Sequence, residues 1–211
     1  MEINESKIIK KSKAYVNELL VTLENHYYHQ YGHSLEVAER AVYLWKKEWL
    51  CEEDLEMLAL AGLFHDTWFV IQYENNEEIW AKIAKNFLKS ILYPEDKIET
   101  IEKVILATKL DAQPTNIYEE IIKDSDLDNL WREDFFKKWN NLKQEIEAIK
   151  NIKILDIDWQ HWYITLLKKH KFYTKTQQEE RKEKKQDNQK ALERVLKGLE
   201  ENKEIKVCKY M

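Results

Sequence analysis

Apolar residues recur every three or four positions along most of this chain, which is the spacing of amphipathic α-helices. The pattern runs through residues 6–24, 79–91 and 94–110, and it returns in the second half of a long polar segment, 174–201. The asparagines of residues 73–78 stand where a helix is expected to begin. The chain has three glycines and two prolines, too few turn-forming residues for a many-stranded sheet. These features predict an all-α fold.

The stretch 57–69, MLALAGLFHDTWF, differs from the amphipathic segments because its first eight residues carry no charge. A run this apolar belongs in a protein core. It leads directly into His65 and Asp66, and burying an imidazole beside a carboxylate is unfavourable unless a charged or strongly polar partner satisfies both groups. A metal ion is such a partner. We therefore interpret the pair as half of a metal site.

A further histidine heads another apolar helix face. Apolar positions follow His33 in steps of three or four through residues 33–44, so the pattern places His33 at the start of a buried face. His29 lies four residues earlier and would share that face if the helix extended so far. Gly32 weakens a helix at that point. The pattern therefore predicts a buried His33 and leaves the place of His29 open.

The last candidate ligand comes from the segment DSDLDNLW, residues 124–131, in which Asp124, Ser125 or Asp126 can cap a helix. Two imidazoles and two carboxylates would make a mixed nitrogen and oxygen site, which suits a divalent ion of borderline to hard character. Such an ion lowers the pKa of a bound water and polarises a phosphoryl oxygen. The constellation therefore indicates the hydrolysis of phosphate esters. It comprises His33, His65, Asp66 and Asp126.

Three motifs resemble the HD superfamily of metal-dependent phosphohydrolases. YHQYGHSLEVAERA resembles the first helix of that family, LALAGLFHDTWF its signature helix and IIKDSDLDNLW its aspartate helix, so that the resemblance spans residues 28–129. It implies an all-α HD-domain helical bundle and one divalent metal ion, which is Mn, Mg, Fe, Co, Ni or Zn. The aspartate of the family usually follows a small residue, and Ser125 favours Asp126 over Asp124 as the ligand. The implied metal ligands are His33, His65, Asp66 and Asp126.

The resemblance also implies catalytic roles. The YHQYGH run is similar to the cyclic-nucleotide phosphodiesterase branch, in which the first histidine protonates the leaving oxygen. This likeness assigns His29 as general acid, a role that suits an imidazole near neutral pH. Asp66 is expected to be essential for both metal binding and turnover. Residues 67–125 contain no histidine, so extra ligands of two-metal relatives are missing and one metal is expected.

Two weaker substrate candidates complete this set. The segment ENNEEIWAKIAKNFL, residues 74–88, is similar to a helix start in small uncharacterised HD proteins, and this likeness places Glu77 near the site. The alternative is that Glu77 is an acid in the first turn of a helix, favoured by the helix dipole. Lys109 is a candidate phosphate contact, and the alternative is a cation at the end of a helix.

Composition limits the partners of the protein. The formal net charge is −5, which argues against a dedicated nucleic-acid binder. Residues 168–190 nevertheless carry nine Lys or Arg against four Asp or Glu. This basic segment either surrounds a phosphorylated ligand or forms a solvated helix face. No apolar run reaches about 20 residues, the length of a membrane span, and two distant cysteines resemble ordinary thiols. We expect a cytoplasmic protein whose substrate is a small phosphate ester, most simply a nucleotide.

The domain organisation and the alternatives remain predictions at this point. We expect one HD-type domain over 1–211, with core motifs in 28–130 and a C-terminal helical extension over 140–211. A homo-oligomer is left open. A non-catalytic regulatory module that binds metal and nucleotide is the main alternative to an enzyme, and a nucleic-acid-associated protein that uses residues 168–190 is the other.

Overall fold

The computed structural model describes residues 6–67 and 77–208, with side chains up to residue 201. Throughout these residues the regular secondary structure is helical, which confirms the predicted all-α fold. The asparagines of residues 73–78 that were expected to cap a helix lie outside the described residues. The helix that follows them begins at Glu77. Along the chain the elements are α1 (Lys7–Val21), α2 (Tyr31–Lys47), a 3-10 turn (Glu52–Asp54), α3 (Leu55–Phe64), α4 (Glu77–Ser90), α5 (Glu95–Leu106), α6 (Ile117–Asp126), a second 3-10 turn (Leu127–Trp131), α7 (Phe135–Lys150), α8 (Asp156–Lys169) and α9 (Lys175–Cys208).

Local capping explains two helix starts, and one predicted start is wrong. Ser6 caps α1 by accepting a hydrogen bond from the Ile9 N–H at 3.1 Å. Asn116 caps α6 in the same way, through the N–H of Glu119 at 3.1 Å. Residues 124–126, expected to cap a helix, instead form the C-terminal end of α6. Since Asn116 already starts this helix, the three residues complete its last turn, and the chain then tightens into the 3-10 turn.

Helix α3 is the centre of the larger hydrophobic core. Its residues 57–64 are all buried, and α1, α2, α5 and α6 pack around it. Gly62 is the point of closest approach to α2, because a Cβ at this position would lie 2.6 Å from the Ala38 Cα. A side chain at residue 62 would therefore push the two helices apart. The close packing of α2 on α3 sets the positions of the side chains at their ends.

A second core joins the last three helices. Trp131, Phe135 and Tyr163 are buried in it, and Leu192 of α9 packs against them. Polar contacts tie this part of the chain to the first core. Asp128 lies between Arg40 of α2 and Arg181 of α9, at 3.2 and 2.8 Å. The prediction that residues 1–211 form a single domain stays a prediction.

No helix among the described residues combines the length and apolar character needed to cross a membrane. The longest helix, α9, carries charged residues along its length.

Candidate metal centre

Four side chains from three helices meet at one buried point. His33 stands in the first turn of α2, His65 and Asp66 directly follow α3, and Asp126 is the last residue of α6. Each residue offers one ligand atom, and these four atoms all lie within 4.8 Å of one another. The structure thus brings together the four predicted ligands, although they are spread over more than 90 positions of the chain.

The distances between these atoms suit a small divalent ion. His33 Nε2 lies 3.3 Å from Asp66 Oδ2 and 3.3 Å from Asp126 Oδ1. His65 Nε2 lies 3.0 Å from Asp66 Oδ2 and 3.3 Å from Asp126 Oδ1. An ion with ligand bonds of about 2.1 Å separates neighbouring ligands by about 3.0 Å in an octahedron and about 3.4 Å in a tetrahedron. The observed spacings fall within that interval.

Three of these atoms form no hydrogen bond with any of the described residues. The Nε2 atoms of His33 and His65 and the Oδ2 atom of Asp66 are buried without a hydrogen bond. They lie at ion-pair distance from one another. Buried polar atoms are normally satisfied. Lone pairs that converge in this way are satisfied by a cation at their centre, so the four residues fit a metal ion.

The His65 ring is held in the tautomer that a metal ligand requires. Its Nδ1 donates a hydrogen bond to the Gly62 carbonyl at 2.7 Å, which leaves the lone pair on Nε2. Hydrogen bonds of this kind orient ligating histidines and increase their basicity. Gly62 therefore serves the site twice, by admitting α2 and by holding His65.

Electrostatics at the centre also favour a cation. Burial alone would raise the pKa of Asp66, but the His65 and His29 rings outweigh it and hold that pKa well below its usual value. The pKa of Asp126 is lowered to about 2, against the effect of burial and mainly by His65. For His65 itself, burial would lower the pKa, and the two carboxylates raise it well above its ordinary value. Two ionised carboxylates in a buried site require positive charge between them.

Asp124 and Asp126 point to different parts of the molecule. The Asp124 carboxylate accepts hydrogen bonds from the N–H groups of Tyr173 and Thr174 and from the Thr174 hydroxyl, at 2.7 to 3.2 Å. Burial raises its pKa to about 6 despite these hydrogen bonds. The structure thus assigns Asp124 to the start of α9 and brings Asp126 to the metal centre.

His29 lies beside the four ligands but outside α2, which begins at Tyr31. Its ring centroid is 6.2 Å from that of His33. The Nδ1 atom of His29 forms a short ion pair with Glu145 of α7, a carboxylate that is completely buried. Burial would raise the pKa of Glu145, but His29 and the N–H groups that bind the carboxylate lower it. An ionised carboxylate therefore fixes the orientation of the predicted general acid.

Sequence reasoning missed Glu145 and Tyr28. Glu145 belongs to a segment with a weak helical pattern, and nothing in the sequence connects it with His29. Tyr28 adjoins His29 and is buried, with its ring 4.8 Å from that of His33. Its hydroxyl oxygen accepts a hydrogen bond from Asn129 at 2.5 Å. Burial and the nearby Asp126 raise the pKa of Tyr28 well above its usual value, so the phenol remains neutral and can donate its proton in a hydrogen bond.

Neither weaker substrate candidate belongs to the four-residue cluster. Lys109 Nζ lies 3.6 Å from Glu78 Oε1, and the lysine side chain is one-third exposed. Glu77 is the first residue of α4 and acts electrostatically on Lys123. Their roles toward a substrate remain predictions. The sequence did not single out Lys123. This lysine is buried, and Asp126, Asp111 and Glu77 all act on its charge.

Comparison with known proteins agrees with this geometry. Residues 31–128 match the family model of the HD domain. This segment includes the four predicted ligands, and the resemblance stated from the motifs is confirmed. No curated protein sequence matches the chain.

Two solved structures have a similar fold. The crystal structure of Bacillus subtilis YpgQ has a TM-score of 0.63 and 16% sequence identity, over 93% of this chain and 95% of that chain. The structure of Bacillus subtilis YpgQ in complex with ADP has a TM-score of 0.61 and 17% identity, over 92% of this chain and 97% of that chain. At these identities the likeness concerns the fold.

Proposed function

Since residues 31–128 match the family model of the HD domain, we propose that this protein is a metal-dependent phosphohydrolase that acts on a nucleotide or another small phosphate ester. The observation that carries the proposal is the convergence of His33, His65, Asp66 and Asp126 within 4.8 Å. When bound, a divalent ion supplies Lewis acidity toward a phosphoryl oxygen and activates water near neutral pH. The identity of the ion and the monoester or diester specificity are for experiment.

The four ligands set the charge and the geometry of the reaction site. Asp66 and Asp126 would balance the charge of a bound ion as carboxylates, and the imidazoles of His33 and His65 would bind it through Nε2 as neutral ligands. Asp126 retains 21% exposure of its side chain and His33 only 2%, so the phosphate approaches from the side of Asp126. The buried side, formed by α2 and α3, excludes bulk water from the ligands.

His29 delivers the proton to the leaving oxygen. Glu145 binds Nδ1 of His29 and thereby holds the ring so that Nε2 carries the transferable proton. The His29 N–H also donates to Glu145 at 3.0 Å, so backbone and side chain are held by one carboxylate. A buried carboxylate in this position stabilises a protonated imidazole and keeps it aligned for general acid catalysis.

Nucleotides are the proposed substrate class. The similar fold of Bacillus subtilis YpgQ in complex with ADP supports this choice. The formal net charge of −5 and the ion pairs of Arg181 and Lys184 with acidic residues favour a small ligand over a nucleic acid. We also propose a cytoplasmic location, and a homo-oligomer stays a prediction.

The experiment combines metal analysis with a hydrolysis screen. Metal content of the purified protein is measured first, and hydrolysis of nucleotides and simple phosphate esters is then followed with and without added manganese. The Asp66→Ala variant should lose both metal and turnover. Asp187→Ala, which removes an exposed acid of α9, is the matched control and should change neither.

Two results would overturn the proposal. Full metal content and turnover in Asp66→Ala would show that the site is elsewhere. Tight nucleotide binding by the metal-loaded protein, without hydrolysis of any phosphate ester, would identify a regulatory binding module instead.

A further inference from the structure

A cavity of about 260 Å³ lies where the end of α8 meets α6. Leu127, which directly follows Asp126, forms part of its wall, as do Leu110 and Leu166. Pockets that enclose a whole drug-sized ligand measure about 300–1,000 Å³. The cavity is smaller, and it therefore suits one arm of a substrate whose reacting group lies at the metal centre.

Lys123 brings a buried positive charge to this cavity. The residue is only 5% exposed, and its ammonium donates to the carbonyls of Ala107 and Lys109 at 3.1 and 2.6 Å. An ammonium has three N–H donors, and within the described part of the chain the third has no partner. A buried charged donor without an acceptor is costly. An anion in the cavity would satisfy it.

Lys123 and the metal ligand Asp126 lie on one face of α6. They are three residues apart, about one helical turn, and the two charges interact: burial lowers the pKa of Lys123, and Asp126 opposes that effect. Asp111 and Glu77, like Asp126, act to raise the pKa of Lys123. A ligand at the metal centre and a ligand at Lys123 are therefore neighbours along α6.

Two more lysines stand at the cavity, and neither has an acidic partner among the described side chains. Lys169 and Lys171 line it, and neither forms an ion pair with any residue in the described ranges 6–67 and 77–201. Lys171 lies over the Tyr173 ring, 5.2 Å from its centroid. By contrast, Lys168 on the same helix pairs with Glu193 at 3.1 Å. No acid of residues 6–67 or 77–201 thus balances the charges of Lys169 and Lys171 through an ion pair.

Resting on the proposed function, we infer that this cavity binds a second phosphate group of the substrate. The substrate class is then a compound with two or more linked phosphates, one at the metal centre and the next at Lys123, Lys169 and Lys171. Leu110, Leu127 and Leu166 form the apolar part of the wall beside these ammonium groups. This assignment also gives a function to part of the basic segment 168–190.

The test measures binding of inorganic pyrophosphate by isothermal titration calorimetry, with the full chain treated with EDTA so that the cavity is probed without metal. The Lys169→Met/Lys171→Met variant changes only exposed side chains, and it should weaken pyrophosphate binding about tenfold or more. Lys168→Met is the matched control and should bind like the natural protein. Lys123→Met should also weaken binding, and its melting temperature is recorded to show that it folds.

Unchanged pyrophosphate affinity in Lys169→Met/Lys171→Met would overturn the assignment. Equal losses in this variant and in Lys168→Met would overturn it too, because they would indicate a diffuse charge effect. The result is separable from the proposed function. Pyrophosphate binding that depends on Lys169 and Lys171, in a protein that hydrolyses no phosphate ester, would leave the cavity assigned and the hydrolase proposal refuted. Phosphate ester hydrolysis by the natural protein, together with unaltered pyrophosphate affinity in Lys169→Met/Lys171→Met, would support the hydrolase proposal and refute the cavity assignment.

Discussion

The Glu145 carboxylate holds His29 at two points, the ring Nδ1 and the backbone N–H. The two residues lie 116 positions apart in the chain, and the contact joins α7 to the turn that precedes α2. Because the same carboxylate also accepts the Tyr28 N–H at 2.8 Å, it fixes the backbone on which both aromatic rings stand. The orientation of the proposed general acid therefore depends on the C-terminal part of the chain.

Replacing Glu145 with Gln should lower kcat by roughly tenfold or more, because general acid catalysis contributes about 10²–10⁴ and depends on alignment of the acid. Metal content should stay unchanged, since Glu145 is not a ligand. Glu147→Gln on the same helix is the control. An unaltered kcat in Glu145→Gln would remove Glu145 from the mechanism.

Gly62→Ala should destabilise the protein by about 1–3 kcal/mol, the usual cost of overpacking a core. The added methyl group would lie 2.6 Å from Ala38 Cα, so α2 and α3 must separate and His33 must move from His65. Chemical denaturation and metal analysis measure the two effects. Gly198→Ala in α9, where a Cβ meets nothing within 4 Å, should instead be neutral or stabilising. Equal stability of Gly62→Ala and the natural protein would contradict the packing argument.

Asp126→Asn should affect metal binding, whereas Asp124→Asn should affect the stability of the fold. Asp126→Asn is expected to lose the metal ion and activity, because a carboxylate oxygen of the cluster is replaced by an amide. Asp124→Asn should keep the metal and lower the free energy of unfolding by about 1–3 kcal/mol, because the hydrogen bonds to Thr174 and Tyr173 weaken. Metal analysis and denaturation of both variants decide the matter. Metal loss in Asp124→Asn alone would reverse the assignment of the ligand.

His170 should make the fold sensitive to mild acid. Burial, with Lys185 and Lys123 nearby, lowers its pKa from 6.5 to about 3. Below about pH 6.5 the His170 side chain therefore binds a proton in the unfolded chain but not in the folded chain. The free energy of unfolding falls as the pH drops toward 3. At pH 5.5 the loss should be about 1 kcal/mol relative to pH 7.5.

Denaturation curves at pH 7.5 and 5.5 measure this loss. In His170→Gln it should largely disappear, because Gln does not titrate and can still accept a hydrogen bond from Lys185. His161→Gln, which changes a histidine with 55% side-chain exposure, should keep the loss. A loss of equal size in all three proteins would show that other groups cause it.

Local features of the sequence determined the helices and most of the metal centre. In a chain with so few turn-forming residues, the charge-free run of residues 57–64 indicates a buried helix, and it carries His65 and Asp66 into the core with it. The apolar face that follows His33 buries that ring for the same reason. Helix periodicity and burial depend on residues that are neighbours in the sequence. The all-α fold and the burial of these ligands can therefore be predicted without knowledge of distant contacts.

Only the tertiary structure decided which residues surround those ligands. Asp124 and Asp126 share one short motif, and their separation follows from the docking of Thr174 onto α6. Glu145 meets His29, and Lys123 meets the cavity formed with Lys169 and Lys171, through packing of helices that are far apart in the chain. Such contacts depend on how side chains fill the space between helices, and no repeating pattern along the sequence records that.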